Sequence, residues 1–343
     1  MKRQNDLWQQ IVSEENLRNA YEMSVKGKSH YSAVKKVKKD LEAHLACLQS
    51  MLVNGEFKTG EYKIEERMES GKMRTIYKLP YYPDRIVHHA LMLVVGPILK
   101  KSLIRDTFQS LPGRGTSDAR RRVQKMVKLH APRYALQMDI KKYYPSVNND
   151  TLKIMIRRKI KCAKTLELID NIVDSMKGLP IGSLTSQYFG NFYLSSFDWF
   201  VKQDLRAKNY YRYCDDLVIF HDRKKVLREW FKRIKDELEI LHLTIKPTWQ
   251  ILDMEKQGVD FVGYVFKQDQ TRLRPAIAQR FKRLAKTITR KGTPNKANAF
   301  SLIAYKGWMM RCNAKQLWRK SLRYGALNRC GLYFKKNPLK GAL

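Results

Sequence analysis

The chain has 343 residues, with 68 Lys and Arg against 32 Asp and Glu, a formal net charge of +36. That length buries a large core in two or three subdomains, and the charge points to a polyanion, most simply nucleic acid, as partner. No apolar run reaches membrane-spanning length, no lipidation signal is present, and the first eight residues lack an apolar signal core, so a cytoplasmic, non-membrane location is expected.

Residues 14–54 read as helical, with Leu41, Leu45, Leu48 and Leu52 at three- to four-residue spacing. Residues 61–79 alternate in polarity and are broken by Ser70-Gly71, which predicts a hairpin. A helix starts at Asp84 to Leu91; its His88 and His89 read as packing or polar-face residues, because no metal-ligand spacing surrounds them. Gly113-x-Gly115 lacks the strand and helix context of a nucleotide-binding fingerprint. A strand over Tyr134–Ile140 reaches Asp139 before Lys141-Lys142-Tyr143-Tyr144-Pro145-Ser146 ends it. Helices are expected over 150–176 and 188–207. Two buried strands, Tyr210–Cys214 and Leu217–Phe220, then flank Asp215-Asp216. An amphipathic helix over 224–242 carries Val226, Leu227, Trp230, Phe231, Ile234, Leu238 and Leu241 on one stripe.

From Thr271 to Leu343 there are 19 Lys or Arg and no Asp or Glu. Trp308, Leu317, Trp318 and Tyr324 are available there for a core. Mixed-sign surfaces are the norm, so a segment without acids reads as a helical unit that grips nucleic acid by its phosphates. The whole layout is α+β, a small antiparallel sheet with helices on one face. The five cysteines, Cys47, Cys162, Cys214, Cys312 and Cys330, form neither a zinc spacing nor a disulfide framework.

Two adjacent carboxylates between apolar strands are costly to bury unpaired. A solvated Asp-Asp turn would avoid that cost and do nothing. The third acid, Asp139 at a strand end, changes the reading, because three such carboxylates form an oxygen ligand set for two hard cations about 3.5–4 Å apart, which clamp the attacking and leaving oxygens of phosphoryl transfer.

These segments resemble reverse transcriptases. Met138-Asp139-Ile140-Lys141-Lys142-Tyr143-Tyr144-Pro145-Ser146 resembles the first palm motif, and Tyr213-Cys214-Asp215-Asp216 the catalytic hairpin. Gly178-Leu179-Pro180-Ile181-Gly182-Ser183-Leu184-Thr185-Ser186-Gln187 resembles the loop that contacts template and nucleotide. Its Ile-Gly-x-x-x-Ser-Gln form is similar to that of diversity-generating retroelements. Gly71–Ile76 resembles the fingers strand, and Phe261-Val262-Gly263-Tyr264 the primer-grip turn.

The resemblance implies a right-hand polymerase fold. Its parts would be an N-terminal helical region (1–60), fingers (61–135), a palm (136–267) with inserted fingers helices at about 150–177, and a basic helical thumb (271–343). It implies two Mg2+ ions, replaceable by Mn2+, held by Asp139, Asp215, Asp216 and the carbonyl of Ile140. Lys72 and Arg74 would clamp the triphosphate, since the Arg fork binds phosphate oxygens bidentately. Tyr144 would be the steric gate against a 2′-hydroxyl. Ile181, Gly182 and Gln187 would border the templating pair, and the apolar Ile181 implies errors at template adenines. Phe261, Gly263 and Tyr264 would hold the primer, with Gly263 admitting a close backbone approach. Template RNA, the cDNA or primer strand, dNTPs and a small oligomeric helical accessory protein are the implied partners, in a prokaryotic or phage setting.

The chain departs from the family at Leu111, where related enzymes carry Arg, with Arg114 nearby. No clear match exists for the lysine proposed as general acid; Lys246 is one candidate, and Trp249 takes the usual place. A retron or defence-type reverse transcriptase and a non-catalytic RNA-binding scaffold are the alternative readings.

Overall fold

The computed structural model describes residues 3–69, 71–291 and 295–322. Helices α1 (Trp8–Val12), α2 (Glu14–Val25), α3 (Ser32–Lys39) and α4 (Leu41–Val53) open the chain. Strands β1 (Lys63–Glu69) and β2 (Lys72–Lys78) follow, then a kinked segment at Tyr81–Arg85, with Tyr82 extended, and helix α5 (Ile86–Lys100). Next come β3 (Thr107–Phe108), α6 (Thr116–His130), β4 (Tyr134–Asp139), the single turn α7 (Tyr143–Ser146), α8 (Asn149–Arg157), α9 (Ala163–Asp174), α10 (Leu184–Tyr193) and α11 (Ser195–Gln203). Strands β5 (Tyr210–Tyr213) and β6 (Asp216–His221), helix α12 (Lys224–Ile240) and strands β7 (Gln250–Asp253), β8 (Val259–Phe261), β9 (Tyr264–Phe266) and β10 (Thr271–Leu273) lead to α13 (Pro275–Lys291), α14 (Lys296–Met309) and α15 (Lys315–Ser321).

The chain forms two compact units. One comprises residues 1–110, 138–208 and 229–248, the other 111–137, 209–228 and 249–343. The expected palm, 136–267, therefore contributes to both.

The first unit is built on α5. Ile86, Val87, Ala90, Leu91, Val95 and Leu99 make that helix apolar nearly all round, which suits a helix covered on every side. α1, α2 and α10 pack on it. Gly96 is the crossing point with α10, because a Cβ there would lie 2.7 Å from the Tyr188 ring. Ser13 caps α2 by accepting from the Asn16 N–H at 3.2 Å, and Asn148 caps α8 by accepting from Thr151 N–H at 2.9 Å. The expected hairpin forms as β1 and β2, in antiparallel register from Lys63 opposite Lys78 to Glu69 opposite Lys72.

In the second unit, strands run in the order β5-β6-β4-β7, with β5–β6 and β4–β7 antiparallel. A separate antiparallel sheet has the order β10-β9-β8. The C-terminal helices bury Phe281, Ala285, Ile288 and Leu302. Phe281 stacks on Trp318 at 5.4 Å and contacts Tyr305 at 5.6 Å.

Two details differ from the sequence reading. Residues 271–273 are a strand, since Thr271 pairs with Phe266 and Leu273 with Tyr264; the helical part starts at Pro275. Trp308, Leu317 and Trp318 are half-buried around the inner core rather than forming it. Tyr324 and the rest of 323–343 lie outside the described residues. Among the described residues, no helix is long and apolar enough to cross a membrane.

Candidate active site

Asp139 ends β4, and the next residues pair with a returning segment. Ile140 bridges Ile245 in antiparallel fashion. Lys141 N–H donates to the Thr244 carbonyl, and Lys246 N–H to the Asp139 carbonyl, each at 2.8 Å. In this kind of pair the central residue's own N–H and C=O face the opposite edge, so the Ile140 carbonyl points away from residues 244–246. The Asp139 and Lys246 side chains are 32% and 31% exposed, and Lys246 Nζ forms an ion pair with Asp139 Oδ1. That oxygen is shielded from solvent and makes no regular hydrogen bond, so the ammonium answers its charge.

α7 carries Tyr143 and Tyr144 behind Asp139. Tyr143 is buried, and its hydroxyl donates to the Gly190 carbonyl. Tyr144 is half-buried, and a Cβ on Gly190 would come within 3.4 Å of its ring. Small Gly190 thus sets where both rings sit. The Tyr144 carbonyl accepts from Leu179 N–H at 2.9 Å. Gly178, at φ +75°, passes so close to α7 that a Cβ would lie 2.6 Å from the Pro145 carbonyl oxygen, an approach only glycine makes.

The loop then meets β2. The Ile181 carbonyl accepts from Tyr77 N–H at 2.9 Å. Gly182 has φ +115°, and a Cβ there would lie 3.0 Å from the Tyr77 carbonyl oxygen and 3.1 Å from Ile76 Cγ2. Ile181 is half-buried, Gly182 exposed, and Gln187 half-buried in the first turns of α10. Arg74 is exposed on β2, opposite Arg67. The side chain of Lys72 lies outside the described residues. Tyr144, Ile181, Gly182 and the strand bearing Arg74 are therefore joined by one run of backbone contacts. Behind the loop, His88 is buried and bonds to Ser183 Oγ at 3.1 Å and Thr185 Oγ1 at 3.3 Å. Burial pushes its pKa down to about 3, and that of His89 to about 4. Both are packing residues in their neutral form, as expected.

In the second unit, β5 and β6 close with Tyr213 opposite Asp216, so Cys214 and Asp215 form a two-residue turn with Cys214 at φ +57°. Asp215 and Asp216 are half-buried and Cys214 is buried. Arg212 is fully buried, and its guanidinium donates to the Cys214 carbonyl at 3.1 Å, bracing the turn. Sequence reading passed over this residue; the signal was a lone cation in the apolar run Tyr210-Tyr211-Arg212-Tyr213. Burial, and then the neighbouring Cys214 and Asp216, raise the Tyr213 phenol above its ordinary value.

The turn between β8 and β9 is left-handed at Val262 (φ +45°) and Gly263 (φ +86°). A Cβ on Gly263 would meet the Trp308 ring at 2.5 Å and Ile277 Cδ1 at 3.1 Å. Phe261 and Tyr264 are buried, and Tyr264 packs on Trp308 with centroids 5.2 Å apart. Within the protein itself, the close approach that Gly263 permits is made by Trp308.

Residues 58–266 match the family described as Reverse transcriptase (RNA-dependent DNA polymerase). The chain belongs to the reverse transcriptase family. It is 24% identical over 202 residues to Protein YkfC of Escherichia coli (strain K12), a match over 53% of this chain and 52% of that protein. It thus spans about half the length of this curated relative. Among solved structures, apo telomerase from Candida tropicalis is similar at a TM-score of 0.48 and 14% identity, over 62% of this chain and 48% of that one. Telomerase from Candida albicans with a TWJ fragment of telomeric RNA gives 0.47 and 11%, over 64% and 46%.

For a reverse transcriptase, two positions bear on the departures noted above. Leu111 is buried, which suits its apolar side chain and not the family's Arg. Trp249 is at the surface, while Lys246 is committed to Asp139. Among the described residues, no three His, Cys, Asp or Glu side chains are gathered as a metal cage. The donor types of Asp139, Ile140 carbonyl, Asp215 and Asp216 are nevertheless hard oxygens, the chemistry that Mg2+ and Mn2+ require.

Proposed function

We propose that this chain is an RNA-directed DNA polymerase of the diversity-generating type, which copies a template-repeat RNA into error-bearing cDNA. The observation that carries the reading is the hydrogen-bonded run from Tyr144 through Leu179 and Ile181 to Tyr77. It joins the Tyr144 turn, the Gly178–Gly182 loop and the strand that bears Arg74, which supports reading them as one nucleotide site next to Asp139. The Ile181-Gly182 loop supports the subtype.

Asp139, the Ile140 carbonyl, Asp215 and Asp216 would hold two divalent cations. When bound, these supply the acidity that frees the primer 3′-hydroxyl and the charge that neutralises the leaving pyrophosphate. Arg74, with Lys72, orients the triphosphate. Tyr144 presents its ring under the sugar and excludes a 2′-hydroxyl. Ile181 offers no hydrogen bond to the templating pair, so geometric checking there is loose. The exposed cations of α13 to α15 grip the template–primer phosphates. Template RNA, the growing cDNA, dNTPs and a small oligomeric helical accessory protein are the partners, in the cytoplasm of a prokaryotic or phage-infected cell.

The test is extension of a DNA primer on RNA with and without Mg2+. Asp139→Ala and Asp215→Ala should each abolish extension and leave RNA binding nearly intact, because carboxylates contribute nothing attractive to phosphate. Near-normal extension by either variant overturns the assignment. A near-duplicate of a protein-coding segment beside the gene would support the diversity-generating type over a retron or defence enzyme.

A further inference from the structure

The Asp139–Lys246 pair is fixed by the backbone as well as by side chains. The two 2.8 Å bonds around the Ile140–Ile245 bridge lock residues 139–141 against 244–246. Lys246 follows the bridge on its strand, and Asp139 precedes it on the other, so they are cross-strand neighbours whatever rotamers they adopt. Pro247 follows at once, and its ring limits the backbone freedom of Lys246. The ammonium lies against the solvent-shielded Oδ1 of Asp139, a carboxylate oxygen that the proposed cations also need.

We propose that Lys246 is a built-in competitor for the divalent cation at Asp139, a positioning residue that holds this carboxylate in place and weakens metal binding to the nucleotide-free enzyme. The inference rests on the metal-ligand reading of Asp139. A single ammonium and a divalent cation cannot both sit on one oxygen without repulsion, and at a partly exposed site that repulsion is modest but not negligible. Metal occupancy at Asp139 then rises when an incoming triphosphate adds negative charge. This role differs from proton donation to pyrophosphate, which would leave metal affinity without nucleotide unchanged.

Mn2+ binding to the nucleotide-free protein, followed by electron paramagnetic resonance or calorimetry, separates these possibilities. Lys246→Gln should tighten Mn2+ binding by about five- to thirtyfold. Lys246→Arg, which keeps the charge, should stay close to wild type, and Asp139→Asn should weaken binding. Thermal unfolding of each variant checks that the fold persists; Lys246→Met serves as a second neutral variant if Gln disturbs it. If Asp139→Asn weakens binding while both neutral Lys246 variants leave it unchanged, competition is wrong and the metal-ligand reading stands. If Asp139→Asn has no effect on Mn2+ either, the ligand reading fails and takes the inference with it.

Discussion

The Tyr77 N–H donates a 2.9 Å hydrogen bond to the Ile181 carbonyl, which ties β2 to the loop expected beside the templating base. Because the backbone makes this bond, the Ile181 side chain can change without releasing the loop. Ile181→Asn or Ile181→Gln should therefore alter the error spectrum more than the yield. A polar group left unsatisfied by a mispair costs about 1–3 kcal/mol, roughly a five- to hundredfold gain in discrimination. Sequencing cDNA copied from one defined RNA reads this directly. Uniformly lower yield with the same errors would mean that Ile181 only packs the loop.

Tyr144→Val should admit ribonucleotides. The ring is placed by Gly190 and by the Leu179–Tyr144 bond, and the variant keeps the backbone while removing the ring. The measurement is the ratio of deoxy- to ribonucleotide incorporation efficiency; an unaltered ratio refutes the gate.

Nucleic-acid affinity should fall steeply with salt. About six phosphate contacts give a log–log slope on the order of −4 to −5, at about −0.7 to −0.9 each. Lys282, Lys286 and Arg290 are exposed on α13. Changing all three to Gln should reduce the slope by about 2. A wild-type slope near −1, or a triple variant with the parent's slope, contradicts the phosphate grip.

Gly263→Ala should destabilise the protein by about 2–4 kcal/mol, from left-handed strain plus a clash with Trp308. Trp308→Leu in the same chain should relieve the steric share. Urea unfolding of the two single variants and the double measures the coupling, and strict additivity would show that the ring is not what the Cβ meets.

Acid should weaken the fold through His88. Its pKa is about 3 when folded against an ordinary 6.5, so the unfolded chain binds the extra proton between those values. The stability is present above about pH 6.5 and is lost as pH falls toward 3. From pH 7 to pH 5 the loss is about 2 kcal/mol. His88→Gln should flatten that dependence in urea titrations at the two pH values; an equally steep curve would place the acid sensitivity elsewhere.

What could be read from the residues was local. The runs Tyr210–Tyr213 and Leu217–Phe220 announce their own hairpin, and Gly71 marks the break between β1 and β2, because period and turn chemistry are nearest-neighbour properties. Residues 271–273 escaped because three residues are too few to show a period against the helical pattern that follows. The contacts Gly263–Trp308 and Asp139–Lys246 escaped for another reason: each joins positions far apart in the chain, and no local rule encodes which distant ring or ammonium arrives. Arg212 was legible as an oddity, a cation in an apolar strand, but its bond to the Cys214 carbonyl was not.

The chain visits its two units alternately, so each is assembled from three separate stretches. Neither can be completed from an uninterrupted piece of nascent polypeptide. While the ribosome is still making residues 209–228, the first unit lacks its 229–248 segment, including the Thr244–Lys246 partner of Asp139. Apolar surface awaiting those late arrivals stays uncovered during synthesis. Severing the gene at any of these crossings should yield fragments that fold only when they meet.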